Sequence, residues 1–295
     1  MNHNYFSLKR VLSLLLWLAL VRSASAAEPF FFIQLSDPQF GMYTTNRDFV
    51  QETANFEFAV ATINRLRPAF VVITGDLVNK AGNALQIAEF KRIAAKVDSR
   101  IPVYKVAGNH DVENNPTPAT VAAFTNQFGP DHYEFRHGDF VGIVLDSTLI
   151  HTPDKAHELY ADQESWLESQ LEKARRENAR QIVVFQHHSW FLNTADEPDQ
   201  YFNIPSGRRT KYLELFHKYG VKYAFCGHYH RNKVARDGDL EVVTTSAVGK
   251  PLGGESGLRI VVVRDDGIEH RFYGLGEIPN HIDPSSKLPP SHSSE

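Results

Sequence analysis

The sequence predicts an α/β protein whose helices pack on a largely buried sheet, and two observations support this fold class. Short apolar runs alternate with amphipathic segments along the first half of the chain, which is typical of β-α-β-α folds. Several of the apolar runs end directly before a polar residue that can bind a metal. The carboxyl ends of strands share one edge of a sheet, so residues distant in sequence can form a site there.

The regular elements are placed in order by the period of their apolar residues. Strands are predicted at residues 30–35, 70–74, 103–106, 140–145, 182–185 and 221–225. Helices are predicted at residues 49–66, 84–97 and 163–178. Phe56, Val60 and Ile63 give the first of these helices its apolar face.

The last part of the chain turns to strands without helices, predicted at residues 240–245, 258–263 and 268–273. Asp265-Asp266-Gly267 is typical of a hairpin turn, which indicates an antiparallel arrangement. After Gly276 the sequence is polar and rich in Pro and Ser, with no apolar period. We therefore expect residues 27–276 to form one folded domain and residues 277–295 to be a loose, disordered tail.

The N-terminus has the order of a secretory signal peptide. Lys9 and Arg10 precede an apolar run at residues 11–21, and a segment of small residues follows. We predict a signal peptide at residues 1–26 with cleavage after Ala26, or as second choice after Ala27, and hence a secreted or periplasmic protein. The alternative is a membrane anchor, although this run is short for a bilayer. No later segment has the ~18 uninterrupted apolar residues that a membrane-spanning helix needs.

Composition narrows the class of protein. The chain of 295 residues has a formal net charge of −4, which argues against a nucleic-acid-binding protein with a broad basic surface. Cys226 is the one cysteine, so an exported chain has no internal disulfide. We interpret Cys226 as a buried small residue rather than a nucleophile.

The residues that end the apolar runs indicate the chemistry. They are Asp37, Asp76, Asn109, His187 and the pair His228 and His230. Gly75-Asp76 or His187-His188 alone is weak evidence, because turns and core histidines have similar sequences. Gly108-Asn109-His110-Asp111 and Gly227-His228-Tyr229-His230 are far more specific. All of them in this order favour a metal site.

Together these motifs resemble the calcineurin-like metallophosphoesterase superfamily, whose pattern is Asp-x-His, Gly-Asp, Gly-Asn-His-Asp/Glu, a lone His and Gly-His-x-His. The resemblance covers about residues 30–275. Asp37-Pro38-Gln39-Phe40-Gly41 and Gly227-His228-Tyr229-His230-Arg231-Asn232 are similar to a subgroup classed as Ser/Thr phosphatases. The resemblance implies a four-layer α/β/β/α sandwich with mixed sheets and a hydrolase of phosphate esters.

The resemblance also implies two metal ions, divalent or mixed-valence Mn, Fe, Mg or Zn, bridged by one carboxylate. The first metal would bind Asp37, Gln39, Asp76 and His230, and the second would bind Asp76, Asn109, His187 and His228. Two such metals lower the pKa of a bound water, and the resulting hydroxide would attack the phosphorus.

Two positions in this ligand set leave alternatives open. Gln39 stands where the wider family has a histidine, and its amide oxygen favours Mn²⁺, Mg²⁺ or iron over zinc. The alternative is that Gln39 only hydrogen-bonds a metal-bound water. His188 is the alternative to His187 as the ligand that follows its strand.

Other residues are expected to act on the substrate. In the family the histidine corresponding to His110 protonates the leaving alkoxide or stabilises charge without binding metal. Asp111 would hold the other nitrogen of that imidazole, or alternatively form a helix N-cap. Arg231 and Asn203 are candidate substrate contacts. The loops at residues 146–162 and 189–209 are the best candidates for specificity.

The leading functional prediction is an exported metal-dependent phosphoesterase that favours a phosphomonoester, such as phosphoserine or phosphothreonine of a protein. A phosphodiesterase acting on nucleotides or cyclic nucleotides is the runner-up. From another class, a non-catalytic protein could bind metal or phosphate on the same fold. A structural or adhesive exported domain leaves the polar strand ends unexplained. The resemblance implies a phosphate-ester substrate as partner, and the sequence says nothing about oligomeric state.

Overall fold

Two mixed β-sheets stack face to face, and helices cover the outer face of each sheet. The computed structural model describes residues 28–292, so the predicted signal peptide and its cleavage position lie outside the described residues. The strands are β1 (Phe30–Leu35), β2 (Val71–Ile73), β3 (Val103–Lys105), β4 (Tyr133–His137), β5 (Phe140–Val144), β6 (Gln181–Phe185), β7 (Tyr223–Cys226), β8 (Lys233–Asp237), β9 (Leu240–Thr244), β10 (Gly257–Arg264) and β11 (Gly267–Gly274). The helices are α1 (Val50–Leu66), α2 (Ala84–Ala94), α3 (Asn109–Val112), α4 (Pro118–Phe128), α5 (Ser147–His151), α6 (His157–Arg176) and α7 (Ser206–Tyr219).

The strand order explains why the sheets are mixed. The first sheet runs β11-β10-β1-β2-β3, with β1, β2 and β3 parallel and the β10–β11 hairpin added antiparallel to β1. The second runs β4-β5-β6-β7-β9-β8, with four parallel central strands and antiparallel edges. The predicted fold class, an α/β protein with mixed sheets in four layers, is confirmed.

Strand β1 contributes to two hydrophobic cores because alternate residues point to opposite faces of a sheet. Phe32 lies between the sheets, with its ring 4.8 Å from that of Phe70 and 5.7 Å from that of Phe185. Ile33 and Leu35 belong to the cluster under the outer helices. Burial on both faces fixes the register of β1, and thereby the position of the residues that follow it.

The predicted antiparallel arrangement of the last three strands is correct for β10 and β11 and wrong for β9. Strand β9 runs parallel to β7 in the second sheet and pairs antiparallel only with β8. All five of its residues are buried, which is typical of a parallel strand covered on both faces.

The segment after Gly276 is packed against the domain, so the prediction of a loose tail from residue 277 is wrong for residues 277–292. Ile282 and Leu288 are buried in the cluster beneath α1. The hydroxyl of Tyr273 donates to the carbonyl of Pro289 at 2.6 Å. Two apolar anchors with polar residues between them have no helix or strand period, and the sequence pattern therefore resembles that of a disordered segment.

The predicted helices are present with shifted ends. The helix expected at residues 84–97 ends at Ala94, and the one expected at 163–178 is α6, which begins at His157. Among the helices of residues 28–292, none combines the length and apolar character needed to cross a bilayer.

Candidate metal centre

The polar residues that follow five strands meet at one edge of the stacked sheets. Within residues 28–292, two groups of buried side chains hold their candidate ligand atoms within 4.8 Å of one another. We name Asp37, Asp76 and His230 the first group, and Asp76, His187 and His228 the second group. Asp76 belongs to both, so the two groups are adjacent.

In the first group, Asp37 and His230 approach across the gap between the sheets. Nε2 of His230 lies 3.2 Å from Oδ1 of Asp37. The other oxygen, Oδ2, accepts hydrogen bonds from the Ser36 hydroxyl at 2.5 Å and from the His228 backbone N–H at 3.1 Å. These two donors fix the carboxylate and leave Oδ1 available to a cation.

In the second group, His187 lies between two oxygen ligands. Its Nε2 is 3.3 Å from Oδ2 of Asp76 and 3.0 Å from Oδ1 of Asn109. The amide nitrogen of Asn109 donates to Asn114 at 3.0 Å and to the Tyr201 hydroxyl at 3.2 Å. The amide oxygen of Asn109 is therefore turned toward the second group.

Each of the three histidines is oriented by a backbone carbonyl. The pairs are His187 Nδ1 with Thr74 O at 2.8 Å, His230 Nδ1 with Lys250 O at 2.5 Å, and His228 Nε2 with Tyr201 O at 3.0 Å. Because a carbonyl only accepts, the nitrogen beside it carries a proton, and the other nitrogen is the one that can bind a metal. Sequence reasoning missed these contacts, because a carbonyl partner has no residue signature.

The backbone around the ligands is strained. Positive φ angles occur at five of the predicted ligands, namely Asp37 (49°), Gln39 (36°), Asp76 (50°), His228 (68°) and His230 (54°). The left-handed region costs roughly 1–2 kcal/mol for a residue with a Cβ. Strain of this kind concentrates at functional sites, where the surrounding packing holds it in place.

Glycines allow the ligand-bearing loops to approach closely. A Cβ added to Gly227 would lie 1.9 Å from Oγ of Ser36, and one added to Gly108 would lie 2.2 Å from the backbone nitrogen of Asp76. Both glycines belong to the motifs that the sequence singles out. Gly227 allows the loop after β7 to lie against the loop after β1, and Gly108 allows the loop after β3 to lie against the loop after β2.

The buried carboxylates and histidines perturb one another. Burial opposes ionisation of Asp76, but nearby His187 and His110 outweigh it and hold the Asp76 pKa far below its ordinary value. Burial also opposes protonation of His187, yet the Asp76 carboxylate raises the pKa of His187 to about 10. Burial beside His187 lowers the pKa of His228 to about 3. The Asp76 carboxylate thus stabilises a proton on His187, and a cation bound between these two side chains would displace that proton.

Unpartnered acceptors show that these residues fit a metal. Oε1 of Gln39 is buried without a hydrogen-bond partner among residues 28–292, and Oδ1 of Asp37 accepts no hydrogen bond there, although Nε2 of His230 faces it at 3.2 Å. The amide nitrogen of Gln39 donates to Oδ1 of Asn79 at 3.2 Å, which leaves the amide oxygen unpaired. A buried unpaired acceptor costs about 1–3 kcal/mol, and a bound cation would remove that cost. Oxygen and imidazole ligands suit divalent Mn, Mg, Fe and Zn.

A cleft of about 260 Å³ opens beside the second group. It is lined by Asn79, Lys80, Ala81, Asn109, His110, Glu113 and Asn114. Nδ1 of His110 lies 2.8 Å from the carbonyl oxygen of Asn79, so Nδ1 carries the proton and Nε2 is left for a ligand. A larger cavity of about 570 Å³ between α2 and α4 has a mostly apolar lining and lacks either metal group.

Comparison with known proteins places this geometry in a family. The model of the calcineurin-like phosphoesterase family matches residues 32–232. The chain belongs to this family. It is a metallophosphoesterase, a hydrolase that acts on phosphoric ester bonds. The serine/threonine-protein phosphatase CPPED1 of Homo sapiens is 39% identical over 267 residues, which cover 85% of each chain.

Solved structures agree on the fold of this metallophosphoesterase. The purple acid phosphatase PPD1 of Lupinus luteus has a TM-score of 0.66 at 14% identity, over 85% of this chain and 52% of that one. A dimetal phosphatase from Danio rerio has a TM-score of 0.59 at 16% identity, over 84% of this chain and 100% of that one. The predicted metallophosphoesterase sandwich is confirmed.

Asp111 does not contact the ring of His110, so the predicted role for it is wrong. Its carboxylate accepts backbone N–H groups from Leu77 at 2.9 Å, Val78 at 3.1 Å and Gly108 at 2.9 Å. The N-cap of α3 is Gly108, and Asp111 is the third helical residue, whose carboxylate accepts the N-cap N–H, so the alternative of Asp111 as the N-cap is also wrong. Asp111 holds the loop after β2 against α3.

The two candidate substrate contacts are engaged elsewhere. Asn203 is buried, and its amide nitrogen donates to Glu197 at 2.6 Å and to the carbonyl of Pro198 at 3.0 Å. Asn203 therefore stabilises its own loop, contrary to the prediction of a substrate contact. Nε of the exposed Arg231 donates to the carbonyl of Leu252 at 2.9 Å, a contact with the neighbouring loop, and the role of Arg231 in substrate binding stays a prediction.

His188 and Cys226 are both buried and lie outside the two metal groups. His188 is buried and its Nδ1 lies 3.0 Å from the Ser147 hydroxyl, outside both metal groups, whereas His187 lies in the second group. Cys226 is fully buried, and burial raises the pKa of its thiol far above the ordinary value. A protonated, enclosed thiol agrees with the interpretation of Cys226 as a packing residue.

Proposed function

We propose that this metallophosphoesterase binds two divalent metal ions, one in each group, with Asp76 shared between them. The unpaired oxygen of Gln39 and the Asp76 carboxylate shared by the two groups support this number of ions. The Gln39 oxygen would complete the first group, and the Asn109 oxygen would complete the second. When bound, such ions neutralise phosphate charge and lower the pKa of water.

The two sites differ in ligand chemistry. The first group with Gln39 offers three side-chain oxygens and one imidazole, whereas the second with Asn109 offers two oxygens and two imidazoles. Imidazole suits Zn and Fe, and an oxygen-rich set suits Mn and Mg. We therefore expect two unequal affinities, with the first site the weaker for zinc.

His110 is placed to move the proton that ester cleavage requires. Its ring lines the cleft, and the Asn79 carbonyl holds the Nδ1 proton so that Nε2 is free to face a substrate. We infer that Nε2, when protonated, gives its proton to the leaving alkoxide oxygen. Lys80, exposed on the same cleft, adds a positive charge for the phosphate.

The proposed substrate class is a phosphomonoester, with phosphoserine or phosphothreonine of a protein as the favoured form. This proposal rests on the likeness to CPPED1, which is named a serine/threonine-protein phosphatase and matches 85% of this chain. The cleft beside His110 is open to solvent, as a phosphorylated side chain on a protein surface requires.

The test is turnover by the Mn²⁺-loaded protein of p-nitrophenyl phosphate, bis-p-nitrophenyl phosphate and a phosphoserine peptide. We expect the highest kcat/KM on the monoesters. A diester rate above both monoester rates would replace the proposal with a phosphodiesterase. Two bound metals without turnover of any ester would favour a non-catalytic binding protein.

We also infer export, on the grounds of Lys9, Arg10 and the apolar run at residues 11–21. N-terminal sequencing of the protein recovered from its native host checks this directly. We expect the mature chain to begin at Ala27, or at Glu28 for the second cleavage position. Recovery of a chain that keeps residues 11–21 would contradict cleavage and favour an anchor.

A further inference from the structure

The amide of Gln39 is held by a chain of three other side-chain amides. Nε2 of Gln39 donates to Oδ1 of Asn79 at 3.2 Å, and Nδ2 of Asn79 donates to Oδ1 of Asn46 at 2.8 Å. The same oxygen of Asn46 accepts from Nε2 of Gln86 at 2.8 Å. We name Gln86, Asn46 and Asn79 the amide relay.

The polarity of the amide relay is set by the backbone at its far end. Oε1 of Gln86 accepts the backbone N–H of Lys80 at 3.0 Å and that of Asn79 at 3.2 Å. A backbone N–H can only donate, so Gln86 must present its oxygen there and its nitrogen to Asn46. Asn46 therefore presents its oxygen to the nitrogens of Gln86 and Asn79, and Asn79 presents its own oxygen to the nitrogen of Gln39. The Gln39 oxygen is left without a hydrogen-bond partner among residues 28–292.

The local packing keeps the amide relay in place. Gln86 is fully enclosed at 1% exposure. A Cβ added to Gly41, whose φ is +105°, would lie 2.4 Å from Nε2 of Gln86, so only glycine leaves room for this side chain. Glu52 accepts the backbone N–H groups of Gly41 and Tyr43, and so holds the loop that carries Asn46.

We propose that the amide relay positions the Gln39 carbonyl oxygen toward the first group and thereby sets the affinity of that metal site. The inference rests on the proposed two-metal function, and it assigns a positioning role to Gln86, Asn46 and Asn79. A metal ligand must present an oxygen, and an amide turned the other way presents two N–H groups that repel a cation. Inverting the relay therefore places the amide nitrogen of Gln39 toward the first group, where it cannot bind a metal.

The decisive variant is Gln86→Glu. The glutamate keeps oxygen acceptors for Lys80 and Asn79 but has no N–H for Asn46. Asn46 and Asn79 must then both turn over to pair, which leaves the Gln39 nitrogen facing the first group. In the double variant with Gln39→Glu, residue 39 has two carboxylate oxygens. One of them faces the first group whichever way the relay is turned.

The measurement is calorimetric titration of the metal-free protein with Mn²⁺ alone. We expect Gln86→Glu to weaken one of two sites by about 10–100-fold, the usual effect of removing a partner of a metal ligand. The other site keeps its affinity, and Gln86→Glu combined with Gln39→Glu regains the lost binding. Gln127→Glu, on the exposed hydrogen-bonded glutamine of α4, adds the same charge and is expected to bind like the wild type.

A second pair of variants covers the case in which Gln86→Glu does not fold. Asn46 is exposed, so Asn46→Ala removes the shared acceptor and Asn46→Asp keeps it. The alanine is expected to weaken the first site and the aspartate to preserve it. Equal binding by these two variants would overturn the relay, as would wild-type binding by Gln86→Glu or a loss that Gln39→Glu does not rescue.

Failure of the relay can be told apart from failure of the two-metal proposal. Fewer than two Mn²⁺ ions on the wild type, or wild-type binding by Gln39→Ala, would contradict the metal site itself. Two ions on the wild type and one on Gln39→Ala, with Gln86→Glu unchanged, would contradict only the relay.

Discussion

The substitution Leu288→Ala tests whether the C-terminal segment at residues 277–292 contributes to the hydrophobic core. The Leu288 side chain is 6% exposed in the cluster beneath α1. Truncation to alanine removes three carbons, worth about 0.8 kcal/mol each by transfer from water. The cavity that remains adds to this loss, and measured Leu→Ala changes span about 2–5 kcal/mol. Since Leu288 lies near the surface, where neighbours can relax, we expect a loss near the lower end, about 2–3 kcal/mol.

The assay is urea unfolding at fixed metal concentration, because a metal that binds only the folded state contributes to the apparent stability. Lys287→Ala is the matched control, since Lys287 is the exposed neighbour and such surface changes stay within about 0.5 kcal/mol. If Leu288→Ala unfolds at the same urea concentration as Lys287→Ala, the segment contributes nothing to the core. The sequence-based expectation of a loose tail would then be correct.

Substitutions at His110 and Gly227 test the metal centre, and one at Glu241 tests the second sheet. His110→Ala is expected to lower kcat on p-nitrophenyl phosphate by about 10²–10⁴-fold while Mn²⁺ stoichiometry is kept; unchanged turnover would remove His110 from the reaction. Gly227→Ala places a Cβ 1.9 Å from Oγ of Ser36, so calorimetry should show weaker Mn²⁺ binding, and wild-type affinity would contradict the close approach. Burial raises the pKa of Glu241, but its hydrogen bond to His270 outweighs this and the net pKa is lowered from 4.5. The ionised Glu241 therefore stabilises the fold above about pH 4.5 and loses this effect as pH falls further. The stability difference between the wild type and Glu241→Gln should shrink below that pH in urea unfolding, and a difference constant from pH 7 to 3 would refute the assignment.

The strand ends could be placed from sequence because the signal is strong at each of them. Apolar runs such as residues 182–185 are flanked by polar motifs, and a sheet edge brings such ends together. The structure places Asp37, Asp76 and His187 in the two groups accordingly. The glycines of the same motifs were visible in sequence, but the close approach that requires them depends on tertiary packing.

Strand β8, helix α7 and the role of Asp111 could not be predicted as well from the sequence. Strand β8 is a polar edge strand with one buried residue, Ala235, so its sequence lacks the apolar run of a central strand. Helix α7 was not predicted, although Tyr212, Leu213 and Phe216 give it a helical period. Its first turn lies within the segment that was predicted as a specificity loop, residues 189–209. The role of Asp111 was misjudged because its partners are backbone N–H groups, which no sequence motif reveals.

The count of bound metal ions tests the central claim most directly. The metal-free protein is dialysed against Mn²⁺, and bound manganese per chain is measured by elemental analysis for the wild type and for Asp76→Asn. Because Asp76 lies in both groups, we expect two ions per chain in the wild type and fewer than one in the variant. One ion or none in the wild type, or two in Asp76→Asn, would contradict a two-metal centre bridged by Asp76.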